Sequence, residues 1–274
     1  MKLAVSNIAW NPEEQDAIIP ILRDRGVGGI EVAPTKLWPD WAGADAASAE
    51  SARRDFEALG FAVPSMQAIL FGKPDLSIFA AASDPIRAET LDHLALVARL
   101  AGALGARALV FGSPRNRDRG DRSPDVAFEI AAEFFREAGR ICARHDTWLC
   151  LEPLPDAYGS NFATSWKEAA RLVQAVDTPG FGLHLDTACI HMGGDDPAEA
   201  VLTCDGMIRH FHVSEPQLAD LSNPTIDHKR VGEALKSIGY GNWISLEMRR
   251  PDDPAARVAE AVDRVLDCYG DVLK

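Results

Sequence analysis

The chain has 274 residues, 47% hydrophobic and 25% charged, the balance of a globular enzyme with a full core, which excludes disordered and fibrous classes. Its 28 Lys and Arg against 41 Asp and Glu give a formal net charge of −13, a field that repels polyphosphate backbones and sets generic nucleic-acid binding aside. Five dispersed cysteines without CxxC spacing suggest neither disulfide framework nor zinc knuckle, and with no apolar run near ~18 residues the expectation is a cytoplasmic protein without signal peptide or membrane segment.

Short apolar or β-branched runs alternate with stretches of helical spacing along the whole chain. Strands are predicted at residues 3–6, 29–32, 62–68, 107–111, 148–152, 181–186, 209–214 and 243–248. Apolar residues at helical spacing follow them, as in Ile18, Ile21 and Leu22 after the first strand and Ala127, Ile130, Ala131 and Phe134 after the fourth. The last such stretch, 255–269, carries Val258, Ala261, Val262, Val265 and Leu266. Gly26, Gly105 and Gly239 stand where helices must stop and turn into the next strand.

Strand and helix alternation forces parallel strands with crossovers. Eight such units without a linker predict a single (β/α)8 TIM barrel domain over residues 1–274. An open doubly wound sheet would carry a Gly-rich phosphate turn after its first strand; here Ser6, Asn7, Ile8, Ala9 and Trp10 follow.

In such a barrel the active site lies at the C-terminal ends of the strands. Strand five ends in Glu152, strand six in Asp186, strand seven in His212 and strand eight in Glu247. Side chains alternate in a strand, so Cys150 and Glu152, His184 and Asp186, His210 and His212, and Ser245 and Glu247 each share a face. Three carboxylates and an imidazole converging in a barrel mouth repel one another unless a cation neutralises them. The set predicts one divalent metal ion; oxygen-rich donors with one nitrogen suit Mn²⁺, Mg²⁺ or Co²⁺ and admit Zn²⁺.

With these residues in view, the chain resembles the xylose-isomerase-like TIM barrels, the sugar phosphate isomerase/epimerase family. The likeness rests on Glu152-Pro153, His184-Leu185-Asp186-Thr187, His212-Val213-Ser214-Glu215 and Glu247. It implies that Glu152, Asp186, His212 and Glu247 bind the metal, with Glu152 and Glu247 doubling as catalytic acid and base on a hydroxy-ketone. A proton beside the carbonyl would move through an enediolate whose charge the metal stabilises. The implied partner is a sugar or polyol, with or without a phosphate; a homo-oligomer is compatible, while nucleic acid and membrane are not expected. Two positions depart from the ketohexose epimerase pattern: Cys189 stands where D-x-x-H has His, and Leu218 where H-x-S-x-x-x-R has Arg.

Further substrate-binding candidates are His184, His191, Asn161, Gln67, Glu31, Arg115 and Arg249. His184 lies one layer below Asp186; His210 reads as structural; His191 and His228 would be ligands of a second metal if there were one. Arg115, Arg117, Arg119 and Arg122 in the loop after strand four could hold a phosphate or carboxylate, or form a solvated salt-bridged loop with Asp118, Asp121 and Asp125. Trp10 could line the pocket or pack at its rim, and Trp38 and Trp41 could cap the pocket, exclude water or pack at a subunit interface. The rival readings are a metal-dependent dehydratase of an inosose-like keto-polyol, an abasic-site endonuclease and a non-catalytic sugar-binding barrel.

Overall fold

The computed structural model describes residues 1–273. Its strands are β1 (Lys2–Ser6), β2 (Gly29–Glu31), β3 (Ser65–Met66), β4 (Ala108–Phe111), β5 (Trp148–Leu151), β6 (Phe181–Asp186), β7 (Ile208–Val213) and β8 (Trp243–Leu246). All pair in parallel in the order β2-β1-β8-β7-β6-β5-β4-β3. The remaining seam between β2 and β3 is held by isolated bridges, Gly29 to Ala62 and Val32 to Met66, so the sheet closes as the predicted (β/α)8 barrel.

Helices cover the outside: α1 (Gln15–Asp24), α2 (Pro34–Leu37), α3 (Ala46–Ala58), α4 (Pro85–Leu104), α5 (Pro124–Ala143), α6 (Trp166–Val176), α7 (Thr187–Met192), α8 (Pro197–Thr203), α9 (His228–Ser237) and α10 (Pro254–Tyr269). Their starts follow local chemistry. Asp84, Ser123, Asp196 and Asp253 cap α4, α5, α8 and α10 with a side-chain oxygen, and a proline follows each at the first helical position. Gly105 ends α4 in the left-handed region, φ 86°, a conformation that costs glycine little.

Strand three is shorter than expected. Pro64 has no N–H to pair, and Ala68 is left-handed at φ 53°, so regular pairing is confined to Ser65–Met66 and the chain then turns over the barrel mouth. Strands five and eight stop one and two residues short of the predicted ends, which leaves Glu152 and Glu247 just beyond the last paired residue. The five cysteines are unpaired. Among the described residues no helix is long and apolar enough to cross a membrane.

Candidate active site

At the strand ends a cavity of about 500 Å³ opens, with Glu152, Asp186 and Glu247 among its walls. Register places these groups: Asp186 lies opposite His212 in the β6–β7 ladder, and His184 opposite His210. One donor atom each from Glu152, His184, Asp186 and His212 falls within 4.8 Å of the others. The Nδ1 atom of His212 is 3.1 Å from Glu247 Oε2 and 3.9 Å from Asp186 Oδ2. Neither contact meets hydrogen-bond geometry, so among the described residues Nδ1 is held only by ion-pair contact, the closer one with Glu247.

Each ligand candidate is held from behind. Asp186 accepts from Cys189 N and Ser214 Oγ, both at 2.6 Å, while Thr187 and Ser214 lock to each other through Thr187 Oγ1 to Ser214 O at 2.7 Å. Glu152 lies over Gly112, where a built Cβ would meet Oε2 at 1.9 Å, so only glycine leaves room for that carboxylate. The Nε2 edge of His212 faces the buried Glu31, 2.9 Å from Oε1. A buried imidazole that donates one nitrogen to a carboxylate and aims the other at a cluster of oxygens has the arrangement of a metal ligand with its outer-shell partner.

Electrostatics agree with that arrangement. Burial, then the charges of Asp186 and Glu247, push Glu152 up to about 8. Burial, then Glu247, raises Asp186. Burial opposes the charged form of His212, but the carboxylates of Glu31 and Glu247 overcome it and hold its pKa well above the ordinary value. The protein alone thus gathers protons at a point where a divalent cation could neutralise the carboxylates. An Nδ1 without an aligned hydrogen bond, three carboxylates and a glycine cradle fit such an ion.

Glu31 is not a pocket residue. It is fully buried beneath the site and accepts from Ser65 Oγ at 2.6 Å, Gln67 Nε2 at 3.2 Å and His210 Nε2 at 2.6 Å besides His212. The two imidazoles keep its pKa well below the usual carboxylate range despite burial. His210 is tied to Glu31, and it also falls with His184 and His212 in a second group whose donor atoms lie within 4.8 Å of one another. Gln67 does line the cavity while tied to Ser6 and Glu31. His184 is wholly buried, its Nε2 is 3.6 Å from Glu152 Oε1, and neither ring nitrogen has a hydrogen-bond partner among the described residues.

The other candidates lie elsewhere. Asn161 is exposed and braces the loop, donating to Asp118 and accepting from Arg119 N. His191 is exposed on a separate cavity, and His228 is buried between Glu215 and Tyr269, so no second metal cluster forms from them. Arg249 is exposed outside the cavity lining; its backbone N–H holds Leu218 O. Arg115 donates to Pro74 O, Arg119 to Asn161 O and Arg122 to Phe79 O. The arginine loop thus reads backbone carbonyls, and Arg115 does not line the cavity.

Sequence reasoning grouped Arg117 with its neighbours as a reader of anions, and the structure gives it a different task. It is fully buried and donates to Glu152 O and Phe111 O, both at 2.6 Å, and to Ser113 O. It thereby fixes the backbone that carries Glu152. Nothing local separates it from its three neighbouring arginines. The aromatic candidates resolve as supports: Trp10 is buried outside the cavity lining, Trp38 donates to Ser48, and Trp41 donates to Phe71 O at 2.9 Å.

Known proteins place this architecture. The protein is 25% identical over 120 residues to a D-psicose 3-epimerase of Ruminiclostridium cellulolyticum, a match covering 44% of this chain and 41% of that protein. The structure is similar to that of an L-ribulose 3-epimerase, TM-score 0.82 at 18% identity over 99% of this chain and 95% of that one. It is also similar to 3-keto-D-glucoside 4-epimerase from E. coli, TM-score 0.79 at 19% identity over 98% and 100% of the two chains. The sequence profile described as Xylose isomerase-like TIM barrel matches residues 19–268, and the chain belongs to that family.

Proposed function

We propose that this chain is a divalent-metal-dependent sugar isomerase or epimerase that moves a proton on carbon beside a carbonyl. The observation that carries this reading is the convergence of Glu152, Asp186 and Glu247 at one cavity, with the buried His212 Nδ1 3.1 Å from Glu247 and without an aligned hydrogen bond. The epimerase names of the similar proteins support it.

Glu152, Asp186, His212 and Glu247 would hold the ion, which when bound supplies charge stabilisation to a substrate oxygen as the neighbouring carbon loses its proton. Glu152 and Glu247 are the proton carriers. Each ends a different strand and reaches the cavity, so a substrate between them presents two faces to two carboxylates. Asp186, tethered by two short hydrogen bonds, has no freedom to shuttle and serves as an anchor. Arg117 and Gly112 set where Glu152 sits, and the buried barrel interior below excludes water from behind.

The test is elemental analysis of the purified protein, followed by solvent deuterium incorporation into a panel of keto-sugars and keto-polyols with the metal restored. Metal-dependent entry of deuterium beside the carbonyl, with an epimer or isomer as product, is the expected result. No bound metal and no metal-dependent exchange would overturn the reading, and loss of water from a keto-polyol would move it to the dehydratase class.

A further inference from the structure

The floor of the cavity is charged and its walls are not. Going outward, the lining passes to Val110, Leu154, Ile69, Leu70, Phe71 and Leu218, and among the described residues no Lys, Arg or His lines it. In the arginine loop after β4, the side chains of Arg115, Arg117, Arg119 and Arg122 are each committed to carbonyl oxygens of the protein. A phosphate or carboxylate on the outer end of the substrate, away from the ion that the floor would hold, meets no cationic side chain in the cavity lining.

Phe71 stands at the rim with 68% of its surface exposed, and its backbone is firmly held. Its carbonyl accepts from Trp41 Nε1 at 2.9 Å, Trp41 packs edge-on against His93, and His93 Nε2 lies 2.8 Å from Ile69 O. The facing wall is pinned as well: Gln217 N donates to Tyr158 OH at 3.1 Å and Arg249 N to Leu218 O at 2.9 Å. A rigidly mounted aromatic face beside an apolar channel is a surface for an apolar group to cover. Size agrees. About 500 Å³ is room for roughly sixteen waters at ~30 Å³ each, and the twelve bonded heavy atoms of a hexose fill less than twelve waters would.

Resting on the reading of the floor as a sugar-isomerising site, we infer that the outer cavity is an aglycone subsite. The substrate class is a neutral keto-sugar carrying an apolar substituent, with its reacting end at Glu152 and Glu247 and the substituent between Phe71 and Leu218. A free or phosphorylated sugar leaves that volume unused.

The experiment compares three compounds that share one carbonyl: 3-ketoglucose, its 6-phosphate and phenyl 3-ketoglucoside, each with the Mn²⁺-loaded protein in D₂O. The phenyl glycoside is expected to exchange with a kcat/KM about tenfold or more above that of the free sugar, and the phosphate to exchange slowest. Phe71→Ala should collapse the ratio of phenyl to free sugar. A phosphate that equals or exceeds the phenyl compound, or a ratio unmoved by Phe71→Ala, overturns the inference. If none of the three exchanges, the isomerase reading fails, and saturation transfer from the protein to the ring protons of phenyl β-D-glucopyranoside still decides the subsite. Transfer that Phe71→Ala removes supports it; no transfer to the ring overturns it.

Discussion

Two buried Glu–His pairs, Glu31 with His212 and Glu215 with His228, differ in one respect. In the outer pair every polar atom is spoken for. Glu215 accepts from His228 Nε2, Ile226 N, Thr225 N and Thr225 Oγ1, and His228 Nδ1 meets Tyr269 OH at 2.9 Å. In the inner pair Glu31 is just as fully satisfied, but its partner His212 turns an Nδ1 without an aligned hydrogen bond toward the carboxylates of Glu247 and Asp186. A closed network ties loops and helices together. An open one leaves bonding capacity for something that is not protein, and native structures tolerate that chiefly where function requires it.

The most damaging way to break this contrast is at the proton carriers. Glu247→Gln keeps the shape and removes the base, so turnover in the deuterium-exchange assay should fall 10²- to 10⁴-fold, with far-UV circular dichroism unchanged. Retained exchange would remove Glu247 from the chemistry. Gly112→Ala comes next. The added methyl would sit 1.9 Å from Glu152 Oε2, and the cheapest relief is rotation of that carboxylate out of place. Turnover should drop about 10²-fold, since roughly 1 Å of misplacement has that cost, while thermal stability changes little. A large loss of stability with normal turnover per folded molecule would show that the carboxylate does not yield.

Glu31→Gln sharpens the contrast from below. It keeps the volume but offers His212 a neutral amide, so the imidazole loses its charged anchor. Metal affinity, measured by titration calorimetry, should weaken 10- to 100-fold, the usual effect of removing such a support. Unaltered affinity would mean that Nδ1 is aimed by packing alone.

These residues show what the chain reveals and what it conceals. The alternation within strands put Glu152, Asp186, His212 and Glu247 at four strand ends; Glu152, Asp186 and His212 cluster together with His184, and Glu247 lies against His212 at 3.1 Å. That is local information, carried by a period of two and by repeating strand–helix units. Glu31 could be placed near the mouth by the same period, yet its partners His210 and His212 lie 179 and 181 residues away, and no local rule says which carboxylate faces which imidazole. Arg117 and Arg115 differ by two positions in one loop. One is buried against Glu152 O and the other is exposed on Pro74 O, a distinction made by the packing of the loop over the barrel. Gly112 after β4 reads as an ordinary turn glycine until the carboxylate above it is seen.

The smallest effect on the site belongs to the closed pair. Hydrogen bonds from His228 and Thr225 pull Glu215 down to about 2 against the opposing effect of burial. A carboxylate with a depressed folded-state pKa stabilises the fold above its unfolded value, near 4.3, and that contribution is lost as pH falls from there through about 2. Glu215→Gln should lower stability at neutral pH by about 1 to 2 kcal/mol and flatten the decline of Tm between those two values, because the amide does not titrate. Metal affinity should stay as it is, since Glu215 belongs to neither the cavity lining nor the ligand cluster. Scanning calorimetry across that acid range decides it: an acid slope identical to that of the unsubstituted protein would mean that other carboxylates carry the transition. Weakened metal binding at pH 7 would mean that the two Glu–His networks are one.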